Sequence, residues 1–321
     1  MAKLVYNNRE YEETIKEMIQ DAFYSRDTSY TLRITAIRRL TEIFLRRLLL
    51  LPVSDEITIG DPEIRKLLKE NGKMTPYLQR TLKKMCRATN PWAHTKKRNK
   101  ATKEEFDYAV EILFDLFAYL FYDFFQEYKF GSNSAIVSEF SHLPPIIRLK
   151  TLMELYEQNQ DDDEIIEKLI NAMVKATDTK QTLQWIEDNK KHLISIEREM
   201  PEDKKELIIR DLAPLVGIEQ ANIFVANQHV NMYDMGKEDA IRLGKTLDAT
   251  GRLYTNFEEA VDYYSGEKRL KGEAVDIQKF NSLMEFVFIG RVNQARRIQN
   301  IDEQKYIINQ IMNLDNIDEF F

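Results

Sequence analysis

The sequence predicts an all-α protein: an N-terminal helical bundle over residues 1–135, then a second, mainly helical and acidic domain over residues 140–321. Three observations predict it. Apolar residues recur at helical spacing along most of the chain, and polar start signals separate those stripes. Gly131-Ser132-Asn133-Ser134 and Pro144-Pro145 bracket a boundary between the two parts. At 321 residues the chain has room for two domains of about 100–200 residues each. Its 43% apolar content suffices for packed cores.

The elements follow in order. Thr28 and Ser29 cap a helix in which Ile37, Leu40, Phe44 and Leu48 form one stripe, with Arg33, Arg38, Arg39, Arg46 and Arg47 mostly off it. Asp61-Pro62-Glu63 opens the next helix and Asn71-Gly72 stops it. Thr75-Pro76 opens a third, carrying Leu78, Leu82, Met85 and Cys86; Pro91 disfavours helical geometry at Asn90, so this helix is expected to break near residues 88–90. Thr102 and Glu105 have capping-box spacing ahead of a long helix with Phe106, Ala109, Val110, Leu113, Phe117, Leu120 and Phe124 on its stripe. Phe114, Tyr119, Phe121, Tyr122 and Phe125 add aromatics on its other faces, which fits either a deeply buried core helix or a surface shared with a second copy.

Beyond the boundary, Asp161 to Glu164 form the acidic first turn of a helix with Ile165, Ile166, Leu169, Ile170 and Met173. Further helices are expected over 183–196, 201–216 and 280–299, with a short strand over 222–230. No repeat of 20–50 residues is present.

Charge is the second source of information. The net charge is −7, from 46 basic and 53 acidic residues, yet no Asp or Glu lies between Asn71 and Lys103. That segment holds Lys73, Arg80, Lys83, Lys84, Arg87, Lys96, Lys97, Arg98, Lys100 and Lys103, leaving 36 basic against 53 acidic residues elsewhere, a net −17. A local cationic patch on an acidic protein attracts a polyanion at one place and repels it at others; the alternative is a solvated basic face.

Several chemistries are excluded. Gly244-Lys245-Thr246 ends like a phosphate-binding loop, but Asp239 stands where the first glycine is required. One cysteine, Cys86, and four scattered histidines, His94, His142, His192 and His229, argue against a Cys/His metal site, so no metal or cofactor is expected. Cys86 alone forms no internal disulfide, which fits a reducing compartment. The N-terminal residues 1–8 lack the apolar centre of a signal peptide, and the longest aliphatic run, Leu48 to Leu51, is far short of a membrane span. The expected location is cytoplasmic, with no membrane partner.

What remains is Arg87-Ala88-Thr89-Asn90-Pro91-Trp92-Ala93-His94. RNA cleavage without a metal needs a base for the 2′-hydroxyl, an acid for the leaving 5′-oxygen and a cation for the phosphorane. Histidine titrates near neutral pH and serves either proton transfer. Arginine pairs with two phosphate oxygens. Two copies meeting here would bring two histidines. Lys83, Lys84, Lys96, Lys97, Arg98 and Lys100 are the candidate RNA contacts, and Asn90 and Trp92 the candidate support, with Trp92 either stacking on a base or plugging the core.

This stretch resembles the HEPN domains, small helical bundles whose ribonuclease members carry Arg, four to six residues, then His; Arg87 and His94 match the longest form, Rx6H. Asn90 and Ala93-His94 ahead of a long apolar helix are similar to the DUF4145-like branch, and Arg38, Arg39 and Glu42 sit where such domains carry an Arg/Glu pattern on an early helix. Lys96 replaces the tyrosine of the HepT-like variant. The resemblance covers roughly residues 10–130. It implies a metal-independent endoribonuclease with a composite site in a homodimer through the N-terminal bundle, Arg87 and His94 acting catalytically. It also implies roles in antiviral defence, abortive infection or toxin–antitoxin systems, with an antitoxin or other defence-system partner. The alternative is a non-catalytic dimer that binds RNA or a nucleotide as a regulatory or scaffold subunit. The acidic region from 140 is expected to be regulatory or partner-binding, with Arg291, Arg296 and Arg297 as ordinary exposed arginines.

Overall fold

The fold is organised around one helix, Lys103–Glu127, whose sequence dictates how it must be covered. The computed structural model describes residues 8–25, 27–52, 55–93, 100–200, 202–226, 229–266 and 270–293. Among the described residues there are fifteen α-helices and one two-stranded antiparallel ribbon, an all-α architecture. We number the helices α1 Glu12–Ile19, α2 Tyr30–Leu49, α3 Pro62–Glu70, α4 Pro76–Ala93, α5 Lys103–Glu127, α6 Ser134–Phe140, α7 Pro145–Gln158, α8 Asp163–Ala176, α9 Thr179–Asp188 and α10 Lys190–Ser195. They continue as α11 Glu202–Val216, α12 Ile218–Ala226, α13 Met232–Thr250, α14 Phe257–Gly266 and α15 Val275–Phe288. Strands β1 Glu197–Glu199 and β2 His229–Asn231 pair with Arg198 opposite Val230.

The start signals work as the sequence predicts. Ser29 caps α2, Asp61 caps α3, and Asp162 caps α8 by accepting from the Ile165 amide at 3.2 Å. At α5 the Glu105 amide donates to Thr102 Oγ1 at 3.3 Å and the Thr102 amide to Glu105 Oε2 at 3.0 Å, closing the capping box. From Ile112 to Phe125 every side chain of α5 but Phe114 and Asp123 is buried, its aspartate at 115 included.

The aromatics of α5 are sealed by the chain's own helices. α2 and α4 cover one side and α7 another. Residues far along the chain complete the shell: Phe257 of α14 lies 5.9 Å from both Phe114 and Phe117, and Phe280 of α15 lies 5.3 Å from Phe124 and 5.9 Å from Phe121. Tyr119 and Phe121 are fully buried, and Tyr122 and Phe125 nearly so. These rings therefore carry no argument for a second copy; core packing accounts for them. One apolar cluster runs from Tyr11 to Ile289.

Four expectations need correction. α4 does not break at 88–90 but continues to Ala93. Pro91 lies in its last turn, where its missing N–H removes one helical hydrogen bond, and packing of Thr89 and Trp92 outweighs the local preference. Residues 222–226 belong to α12, and the strand is only 229–231, where three residues pair with β1. α15 stops at Phe288 rather than 299, followed by Gly290 at φ +73°, where its hydrogen atom faces the Lys16 backbone at a distance a side chain would crowd. Arg291 is not an exposed arginine: it is buried between the rings of Phe23 and Phe257, at 4.4 and 4.6 Å, and pairs with Glu258 at 3.2 Å. Arg296 and Arg297 lie outside the described residues.

No described helix is long and apolar enough to cross a membrane. Gly244 is a packing glycine inside α13, since a side chain there would collide with Thr179 of α9.

Candidate nucleic-acid interface

Helix periodicity divides α4 into two faces. Tyr77, Leu78, Thr81, Met85, Thr89 and Trp92 point into the core. Arg80, Lys83, Lys84 and Arg87, at spacings i, i+3, i+4 and i+7, share the exposed face.

The basic segment separates into two groups. Three of its cations are held by acids: Lys73 by Asp123 of α5 at 2.6 Å, Arg80 by Glu154 of α7 at 3.5 Å and Lys103 by Asp107, one turn on, at 2.7 Å. Lys83, Lys84, Arg87 and Lys100 are exposed and make no ion pair with any described residue. The candidate contacts Lys96, Lys97 and Arg98, and the candidate catalytic His94, lie outside the described residues. Lys100 is positioned by its neighbour, since the Ala101 amide donates to Thr31 Oγ1 of α2 at 3.0 Å.

Beside the basic face, α2 and α4 share a polar seam. Arg38 of α2 donates through Nη1 to Thr89 Oγ1 at 3.2 Å and to Asn90 Oδ1, and its Nε lies 3.7 Å from Glu42. Thr89 in turn donates to the Met85 carbonyl at 2.8 Å. Burial pushes the Glu42 carboxyl up, opposed by Arg38, by the Ile59 amide and by Arg46 and Arg39. The Arg38/Glu42 pattern and Asn90, fifty residues apart in sequence, thus meet in one network.

Two candidate supports behave differently from expectation. Asn90 is exposed, but its carbonyl oxygen is engaged by Arg38, so it acts first as a tie between α2 and α4. Trp92 is buried and belongs to the core cluster, which fits the core-plugging alternative rather than an exposed stacking platform. Sequence reasoning missed Thr89 and Arg65. The half-buried Cys86 thiol is pushed up by desolvation, opposed by the charges of Arg38 and of Arg65 on α3. Burial thus disfavours the Cys86 thiolate, the form that acts as a nucleophile.

No group of three or more His, Cys, Asp or Glu among the described residues has the arrangement to hold a metal ion. What the interface offers is an open row of flexible cations on a rigid helix, flanked by a fixed guanidinium network. That arrangement suits phosphates spaced along a strand. Comparisons with protein-family models, with curated proteins and with solved structures give no match.

Proposed function

We propose that this chain is a HEPN-like RNA-binding protein that cleaves RNA without a metal, using the exposed face of α4. The observation that carries the reading is the row Lys83, Lys84 and Arg87, exposed and without an anionic partner among the described residues, on a chain that is otherwise strongly acidic. Phosphates are its natural complement.

In this reading Lys83, Lys84 and Lys100 hold the strand, and Arg87 pairs with the scissile phosphate. One His94 takes the 2′-hydroxyl proton as the 2′-oxygen attacks phosphorus. A second His94, from another copy, protonates the 5′-oxygen as the P–O5′ bond breaks. The products are a 2′,3′-cyclic phosphate and a 5′-hydroxyl. A role in antiviral defence or as a toxin, with an antitoxin or complex partner, follows from the same resemblance.

A second reading has its own support. Asn90 is tied to Arg38 and Trp92 is buried, so two side chains expected to serve the site have structural work instead. This favours a non-catalytic subunit that binds RNA or a nucleotide in a defence complex. The test is purified protein against total RNA and tRNA in EDTA, beside Arg87→Ala and His94→Ala. Cleavage by wild type and its loss in both variants is expected for the nuclease. Intact RNA with wild type, or equal cutting by all three, overturns it and leaves the binding reading.

A further inference from the structure

Between α6, α7 and α8 lies a cavity of about 570 Å³, lined in part by Phe130, Phe140, Arg148, Leu152, Lys168 and Lys175. One end is electrostatically closed. Glu167 is bound there by Lys168 at 2.8 Å and by Arg198 at 2.7 Å, and Arg198 also reaches Asp163 at 3.2 Å. Glu164 folds over Gly131, whose φ of +83° and missing side chain leave room for its carboxylate.

The other end is open electrostatically. Arg148 of α7 is 7% exposed; among the described residues its Nε has no hydrogen-bond partner and no carboxylate lies within ion-pair distance of its guanidinium. Lys175 of α8, partly buried, likewise lacks a counter-ion among the described residues. Burial lowers the Arg148 guanidinium, and desolvation and then the charge of Arg148 lower the Lys175 ammonium. Of the four cations lining the cavity, Lys168 and Arg198 are paired with Glu167; the two left without a described counter-ion, one of them almost wholly buried, destabilise a fold unless an anion completes them.

We propose that this cavity is a binding site for a small organic phosphate, its phosphate between Arg148 and Lys175 and its flat apolar body against Phe130, Phe140 and Leu152. The guanidinium fork matches phosphate oxygens and the lysine adds a second charge for a dianion. The volume lies within the range of small-molecule sites, and the mix of aromatic walls with a few convergent polar groups is what such sites carry. A nucleoside monophosphate has the required chemistry. Phe130 packs on Phe125 of α5 at 4.9 Å, so a ligand on that wall abuts the end of the central helix.

The inference does not rest on RNA binding, and its test is separate. Thermal unfolding and calorimetry of the full chain with AMP, adenosine and inorganic phosphate are compared for wild type, Arg148→Met, Lys175→Met and the triple variant K83Q/K84Q/R87Q. AMP is expected to raise the melting temperature of wild type and of the triple variant, and adenosine is not. A response to inorganic phosphate equal to the AMP response, lost in the same variants, identifies a site for phosphate alone and overturns the role of the aromatic wall; a weaker one supports that role. Lys175→Met is expected to weaken AMP about tenfold, the effect of one lost charged contact, and Arg148→Met to abolish binding while melting no lower than wild type without ligand. No response of wild type to AMP at millimolar concentration, or an AMP affinity in Lys175→Met equal to that of wild type, overturns the site even if Arg148→Met fails to fold.

Discussion

The seam between α2 and α4 yields the sharpest energetic prediction, because one guanidinium joins three partners there. Arg38 donates to Thr89 Oγ1 and Asn90 Oδ1 and faces Glu42, with its side chain only 12% exposed. A hydrogen bond to a charged group contributes about 1.5–3 kcal/mol. Asn90 is exposed, so water replaces part of what is lost, and Asn90→Ala is expected to cost about 1 kcal/mol. Arg38→Met also removes the cation closest to a carboxyl that burial already disfavours, and is expected to cost about 2–3 kcal/mol. Thr89 stays satisfied by the Met85 carbonyl in both variants, which keeps the comparison clean. In a double-mutant cycle by urea unfolding, the two changes should be coupled by about 1 kcal/mol. The same tie holds the turn that contains Pro91, so Asn90→Ala should also speed amide exchange at Trp92 and Ala93 more than at Met85. Additivity within about 0.3 kcal/mol, with unchanged exchange, would refute the reasoning.

Two further predictions bear on charge and on the shared core. Burial raises Glu42, so the fold favours its protonated form; that contribution is complete below the ordinary glutamate range and is lost as pH rises through the raised value. Glu42→Gln should therefore gain on wild type more near neutral pH than at about pH 4, and an equal difference at both in urea unfolding contradicts this. Phe280 is fully buried against Phe121, Phe124 and Phe125, so Phe280→Ala should destabilise the chain by about 3–5 kcal/mol and shift one cooperative transition. Two separate calorimetric transitions, with only the later residues' transition moved, would sink the idea of a common core.

Much of the helix inventory was legible because it is written in local chemistry. The caps at Ser29, Asp61, Thr102 and Asp162 are decided by side chains within three residues of the amides they satisfy. The continuation of α4 through Pro91 was not legible, because the contacts that hold it come from Arg38, fifty residues earlier. The same holds for α5. Its sequence announces a helix that must be covered all round, but not whether α14 and α15 or a second copy does the covering. Arg291 shows the limit most clearly: in sequence it is one arginine among several, and only the fold puts it between two phenylalanine rings with Glu258 beside it.

The candidate interface was read from the absence of acids between Asn71 and Lys103, and that reading was coarser than the structure. Lys73, Arg80 and Lys103 are engaged by Asp123, Glu154 and Asp107, all outside the segment's own acid-free run or at its edge. Composition counts charges but not their partners. What is left, Lys83, Lys84 and Arg87 on one helical face with Lys100 nearby in sequence, is a narrower and more testable patch. The pair Arg148 and Lys175 had no sequence signal, since two basic residues on separate amphipathic helices look like any other.

The central claim is that the exposed face of α4 contacts phosphates. Its most direct test is the salt dependence of binding to a labelled single-stranded RNA, measured by fluorescence anisotropy for wild type and for K83Q/K84Q/R87Q. Each phosphate contact on a single strand adds about 0.7 to the slope of log affinity against log salt, so the triple variant should bind more weakly with a slope shallower by about 2. Equal affinity and an equal slope for the two proteins would contradict the account.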